Sequence, residues 1–221
     1  MVLRRCGELR AGGAPQLDRV TSREASAALK AALENGSRAA VASLGRTDGF
    51  FGNPQVKIPL PDSLQRAERA MRRFGMGRHA DELILTLNRA AEAAVPQAQQ
   101  LFVDAVRRMS LQDAKGILQG GEGAATAYFR RSTEGELRKR FLPLVKQATA
   151  KVGLARQYNA YAARGVAFGL VRKEDANLDD YVTQKALDGL FVTLAEEERK
   201  IRDDPVASAS GIIRKVFGAL R

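Results

Sequence analysis

The sequence predicts an all-α protein, a multi-helix globular bundle with one extended proline-rich segment at about 48–61. Three observations predict it. Apolar residues recur at helical spacing through most of residues 22–217, in segments bounded by capping residues, glycines and prolines. Alanine, leucine and arginine dominate the composition and tryptophan is absent, a balance that favours helix. The exception is "DGFFGNPQVKIPLPDSL" (48–64), with three prolines, two glycines, two adjacent phenylalanines and no helical period.

The first helix is expected from Ser22 to Leu44. Thr21 and Glu24 have capping-box spacing before it, and Gly45 supplies the stop. In the extended segment, Val56, Ile58 and Leu60 share one side and Lys57 lies on the other. Pro59 and Pro61 restrict it to an edge or an extended loop. Its two phenylalanines predict an ordered clasp across the helices, because large rings favour burial. A helix from Asp62 to Phe74 places Leu64, Ala67, Met71 and Phe74 on one face, with Arg66, Arg69 and Arg73 on the other. Helical pattern resumes from His79 to Met109, where Pro96 must kink or break it. "SLQD" (110–113) opens a short helix that ends near "QGGEG". Helices are expected at Ala124–Arg131, at Thr133–Val152 with a kink at Pro143, and over "LARQYNAYAARG". The clearest runs from Leu178 to Asp203, stopped by Pro205, before a short helix at Ala207–Phe217.

The 221 residues suit a tail over 1–20 followed by a single all-α domain over 21–221. Lys and Arg number 36 against 25 Asp and Glu, a net charge of +11. That surplus favours acidic partners: nucleic acid, an anionic lipid surface or an acidic protein. One cysteine, Cys6, excludes a disulfide within the chain. No run approaches the ~18 apolar residues of a membrane span. The N-terminus is basic but has no apolar core, so it is not a complete signal peptide.

The segments "NPQVKIPLP", "LNRAAEAAVP", "AYFRR" and "YVTQKALDGLFVTLAEEERKIRDDP" occur in that order. With them the chain resembles the bacterial domain-of-unknown-function family numbered 4197, from about Ser26 to the C-terminus. The resemblance implies a helical fold. It also implies export and a periplasmic location, since members usually begin with a signal sequence. Lacking a complete leader, this chain keeps a cytoplasmic location as the alternative. The family brings no established activity and so no catalytic residues.

His79 is the only histidine and Cys6 lies in the tail. Neither has evident partners for a zinc site or a nucleophilic triad, so no catalytic residue, metal or cofactor is expected. Phosphate-loop and dinucleotide fingerprints are absent. Carboxylates remain. In the Leu187, Leu190, Leu194, Ile201 stripe, the slot between the last two falls to Glu197 or Glu198. A buried glutamate there could act as acid or base; pairing with an arginine is the structural alternative. Asn88, Arg89 and Glu92 form a polar group in an alanine-rich helix, either a pocket wall or a network pinning one element to another. Tyr128 and Phe129 beside Arg130 and Arg131 suit base stacking, or a buried ring with solvated cations. Candidate ligand contacts are therefore Asn88, Arg89, Glu92, Tyr128, Arg131, Glu197 and Glu198. Arg66, Arg69 and Arg73 form a candidate basic surface. Together these residues suggest a non-enzymatic periplasmic binding or interaction protein for an acidic partner or small ligand. A carboxylate and arginine enzyme is the first alternative, and a weak, non-specific nucleic-acid binder the second.

Overall fold

A computed structural model describes residues 22–75, 77–151 and 177–203. These residues form helices α1 (Ser22–Leu44), α2 (Asp62–Arg73), α3 (Gly77–Ala94), α4 (Ala98–Arg108), α5 (Leu111–Gln119), α6 (Ala124–Thr149) and α7 (Leu178–Asp203). No strand occurs among the described residues. The expected tail, the helix over "LARQYNAYAARG" and the terminal helix all lie outside them, as do Thr21 and Pro205.

The expected end of α1 at Leu44 and start of α7 at Leu178, the two bounds that lie within the described residues, match the structure. Gly45 ends α1, donating its N–H to the Val41 carbonyl at 2.8 Å. Pro96 breaks the expected helix from His79 into α3 and α4, joined by a 3-10 turn at Val95–Gln97. α3 starts earlier than expected, at Gly77. The two helices expected around residue 132 are one, α6. Neither Ser132 nor Thr133 breaks it, because the Thr133 hydroxyl bonds back to the Phe129 carbonyl at 2.7 Å. Pro143 sits inside α6, and the helix continues past it to Thr149.

α6 and α7 pair most extensively. α1 lies on α7, α3 on α6 and α7, and α4 on α1 and α6. Where they meet, Phe102 stacks edge-on against Phe129 and Phe191, with centroids 5.0 and 6.4 Å apart. All three rings are buried, and such edge-to-face pairs add to what their burial contributes. Lys30 of α1 donates to the Met109 carbonyl at 2.7 Å, tying α1 to the end of α4. By contrast, α2 packs chiefly on α3. Its expected apolar face is only partly used. Leu64 packs against the core, whereas Phe74, just past the helix end, is 78% exposed.

The helix expected at "SLQD" opens with a full capping box. The Asp113 N–H donates to the Ser110 hydroxyl, and the Ser110 N–H donates back to the Asp113 carboxylate. The Ser110 hydroxyl and backbone bonds hold the Asp113 carboxyl below its ordinary range. A carboxylate depressed in the folded state contributes stability above its unfolded pKa, and that stability is lost as pH falls through the folded value. Ser110→Ala should therefore destabilise the protein near neutral pH, with a penalty that shrinks as pH falls below about 4. Urea unfolding of both proteins across that range measures it. A penalty that does not change with pH would contradict this account of the cap.

Candidate functional site

An extended segment beside helices has backbone N–H and C=O groups with no ladder to join, and buried ones must find partners. Of the segment expected to be extended, residues 48–56 instead run mostly in turns that pair part of their own backbone, as from the Gly52 N–H to the Asp48 carbonyl at 3.1 Å and from the Lys57 N–H to the Asn53 carbonyl at 2.9 Å, and 57–61 are extended. The buried groups left over find partners on α3. The N–H groups of Phe50 and Phe51 donate to Glu92 Oε1 at 3.0 and 3.1 Å. The Ile58 N–H donates to Asn88 Oδ1 at 2.8 Å, and Asn88 Nδ2 donates to the Ile58 carbonyl at 2.9 Å. Asn88 Nδ2 also reaches the Ile84 carbonyl one turn back, at 2.8 Å. The Tyr181 hydroxyl of α7 adds a bond to the Pro59 carbonyl at 3.1 Å.

The charge on Glu92 is balanced locally. Arg89 donates to Glu92 Oε2 at 2.6 Å and to Asp48 Oδ1 at 2.7 Å. These two bonds, the one from Glu92 foremost, raise the Arg89 pKa above its ordinary value. Asp48 turns the chain into the segment with a left-handed φ of 64°, a conformation aspartate tolerates better than most residues. At Gly49 an added Cβ would lie 2.4 Å from the Leu44 carbonyl oxygen, so the turn requires glycine.

Pinned this way, the segment buries Phe50, Val56, Ile58 and Leu60. The expectation of an ordered clasp matches this geometry. Phe50 enters a gap on α7 that exists because Gly189 has no side chain. A Cβ at Gly189 would lie 2.7 Å from Phe50 Cε1 and 3.2 Å from Val56 Cβ. Phe51 faces outward, with Lys57 Nζ 4.1 Å and the Arg89 guanidinium carbon 5.8 Å from its ring centroid.

Between the outer side of the segment, α2 and the start of α3 lies an open cleft of about 520 Å³. Phe51, Pro54, Lys57, Pro59 and Leu60 wall it on one side; Gln65, Glu68 and Arg72 of α2 and Asp81 and Ile84 of α3 complete it. Its two carboxylates are paired with Arg72, at 2.5 Å to Asp81 and 3.0 Å to Glu68. The Asp81 bond is the largest cause of a raised Arg72 pKa. Lys57 has no ion pair among the described residues.

The other candidates lie apart from this group. Glu198 is buried on α7 and caps α6 from outside. It accepts from the Ala125 N–H at 3.2 Å and from the Thr126 N–H and hydroxyl at 2.9 Å each. Arg202 pairs with it at 2.9 Å and donates to the Ile117 carbonyl of α5 at 3.1 Å. A carboxylate at a helix N-terminus also answers the helix dipole. Glu197 is half-buried and bonds Lys200 at 2.7 Å. The Tyr128 hydroxyl donates to the Ala105 carbonyl at 2.8 Å, and burial pushes its pKa up. Arg131 is exposed, as are Arg69 and Arg73 on α2; the Arg66 side chain lies outside the described ones. Sequence reasoning grouped Asn88, Arg89 and Glu92 but missed the cleft residues Phe51, Lys57 and Arg72. Their signal was available: an aromatic and a lysine on the polar side of a segment whose other side is apolar.

What fold and site define is an all-α protein with an extended clasp hydrogen-bonded to one helix and a mixed apolar and charged cleft on its outer side. Among the described residues, no group of three His, Cys, Asp or Glu side chains could hold a metal ion, and no helix is long and apolar enough to cross a membrane. The chain belongs to the family described as "Protein of unknown function (DUF4197)", whose model matches residues 19–218. No curated protein and no solved structure matches it.

Two substitutions test the clasp. Asn88→Leu leaves the buried Ile58 N–H and C=O unpaired, at about 1–3 kcal/mol for each group. It should destabilise by at least ~2 kcal/mol in chemical denaturation and open residues 49–57 to proteolysis. A loss under ~0.5 kcal/mol, typical of a surface site, would show that these bonds do not hold the segment. Gly189→Ala should cost about 1–3 kcal/mol by overpacking against Phe50, although helix propensity alone favours alanine by about 1 kcal/mol. A stabilised Gly189→Ala protein would mean that Phe50 can move aside.

Proposed function

We propose that this chain is a non-enzymatic binding protein for an acidic partner, and that a small amphipathic anion is held in the cleft outside the clasp. One observation carries the reading: Lys57 lies at a rigid wall, over the Phe51 ring, without a carboxylate partner among the described residues. The other charged side chains of the lining, Arg72, Glu68 and Asp81, are paired with one another and together leave one negative charge, so Lys57 is the lining cation left for an external anion. An anionic group would meet Lys57, and an apolar part would lie on Phe51, Leu60 and Ile84. The cleft volume falls within the ~300–1,000 Å³ usual for small-ligand sites, and a wall fixed before binding lowers the entropy lost on binding. Asn88, Arg89 and Glu92 act here as the frame behind the wall, not as ligand contacts.

The enzyme alternative has less support. Glu92 and Glu198, the buried carboxylates, already accept bonds from backbone N–H groups and an arginine. A general acid or base needs a free position facing substrate. The nucleic-acid alternative loses its stacking platform, since Tyr128 and Phe129 are buried. A periplasmic location, implied by the family resemblance, belongs to the proposal.

The test uses the anionic aromatic dye anilinonaphthalene sulfonate with the folded protein. The native chain should bind it with enhanced emission. Lys57→Glu and Phe51→Ala should each weaken binding about tenfold, the scale of one charge-assisted contact, with far-UV circular dichroism unchanged. Dye affinity unaltered in Lys57→Glu would overturn the cleft as the site. So would a natural ligand that co-purifies equally with native and Lys57→Glu protein in native mass spectrometry.

A further inference from the structure

The corner between α2 and α3 carries a second feature, separate from the cleft. Residues 66–79 contain five arginines and one acidic residue, Glu68. Arg72 is taken up by Glu68 and Asp81, and those bonds tie the end of α2 to α3. Arg69, Arg73 and Arg78 are exposed and have no ion pair among the described residues. In the same stretch of sequence is Phe74, the most exposed large apolar side chain among the described residues, at 78%. It is followed by Gly75 in the left-handed conformation, φ 74°, where the chain leaves α2.

We propose that this corner docks the protein on an anionic lipid surface, with the Phe74 ring entering the interface and Arg69, Arg73 and Arg78 lying at the phosphates. An exposed ring at a helix end whose neighbouring turns carry unneutralised cations is a poor match for water but a good match for a bilayer boundary. Aromatic side chains settle at the headgroup level, and basic residues beside them gain from the negative surface potential. The ring projects from a helix end rather than lining a groove. A single nucleic-acid strand is held by a basic groove with stacking rings along it, so lipid is favoured over nucleic acid. The Arg72 bonds to Glu68 and Asp81 tie the end of α2 to the start of α3. This inference does not rest on the cleft, whose variants Phe51→Ala and Lys57→Glu should leave docking intact.

The chain has no tryptophan, so Phe74→Trp places a single reporter at the corner of the full chain. Vesicles of phosphatidylcholine are compared with vesicles containing phosphatidylglycerol. The expected result is co-sedimentation and a blue-shifted tryptophan emission with the anionic vesicles only. Both should weaken as salt rises, because screening shortens the reach of the charges. Adding Arg73→Glu and Arg78→Glu should reduce partitioning by more than about tenfold, since each basic residue near such a surface contributes roughly fivefold. These positions are exposed, so the variants should retain the native circular dichroism. No co-sedimentation, or co-sedimentation without an emission shift, would overturn the assignment. An emission shift with single-stranded oligonucleotide but not with vesicles would replace it with a nucleic-acid contact.

Discussion

Turns pair only part of the backbone of residues 48–61; the N–H groups of Phe50 and Phe51 and both backbone groups of Ile58 are left over, and the rest of the arrangement depends on how α3 answers them. Asn88 carries one acceptor and two donors on a planar amide, so a single side chain can pair with both the N–H and the C=O of Ile58. Glu92 uses one oxygen for two consecutive N–H groups and the other for Arg89. A leucine at either position would leave several buried groups without partners. With them satisfied, the inner side chains can be buried without orphaning the backbone between them. Phe50 then reaches α7 at Gly189, and a segment without secondary structure becomes part of the core.

The same solution recurs at the other end of α3's partner helix. α6 begins after Gly123 with no side-chain cap of its own. Glu198, far along the sequence, supplies the acceptors, and Arg202 carries the link on to α5. In both places a buried carboxylate is held by backbone donors on one side and by an arginine on its own helix. Removing one partner of such a group leaves an uncompensated charge. The arrangement joins segments distant in sequence at points where the chain is irregular: the clasp in one case, the glycine-rich link before α6 in the other.

How far this could be read from the sequence follows from the range of each interaction. Helical period and local punctuation act over a few residues, so the end of α1, the start of α7, the break at Pro96 and the Ser110 cap were legible. Two helices were expected either side of residue 132, but a Thr133 hydroxyl bonding back within the helix leaves no local mark that separates one helix from two. Asn88, Glu92 and Glu198 could be picked out as polar residues at or near apolar faces. Their partners could not. The bond from Phe50 to Glu92 spans 42 residues and that from Ala125 to Glu198 spans 73, and a backbone N–H has no residue identity to mark it. The exposure of Phe74 was hidden for a similar reason. A helical face looks equally apolar whether or not the fold brings anything to cover its last residue.

The net charge of +11 takes on a more specific meaning once the pairings are considered. Arg89 joins the turn at Asp48 to α3, Arg72 joins α2 to α3, and Arg202 joins α7 to α5. Arg130 of α6 lies over Phe191 of α7, 4.3 Å from its centroid, and near Asp188. Each of these cations already faces an acid or a carbonyl of this chain, and withdrawing it to meet a partner would expose that group. They are poor candidates for recognition however basic the surface. Lys57, Arg69, Arg73 and Arg78 differ: no acid of the described chain neutralises them, so an external anion displaces only water and counterions. Three of the four lie on α2 or the first turn of α3, and the fourth is on the clasp that α2 faces across the cleft. These four thus border the cleft and the corner between α2 and α3, where an anion would meet them without breaking a bond of the fold; Arg46, Arg108 and Arg131, also without an ion pair among the described residues, lie on other elements.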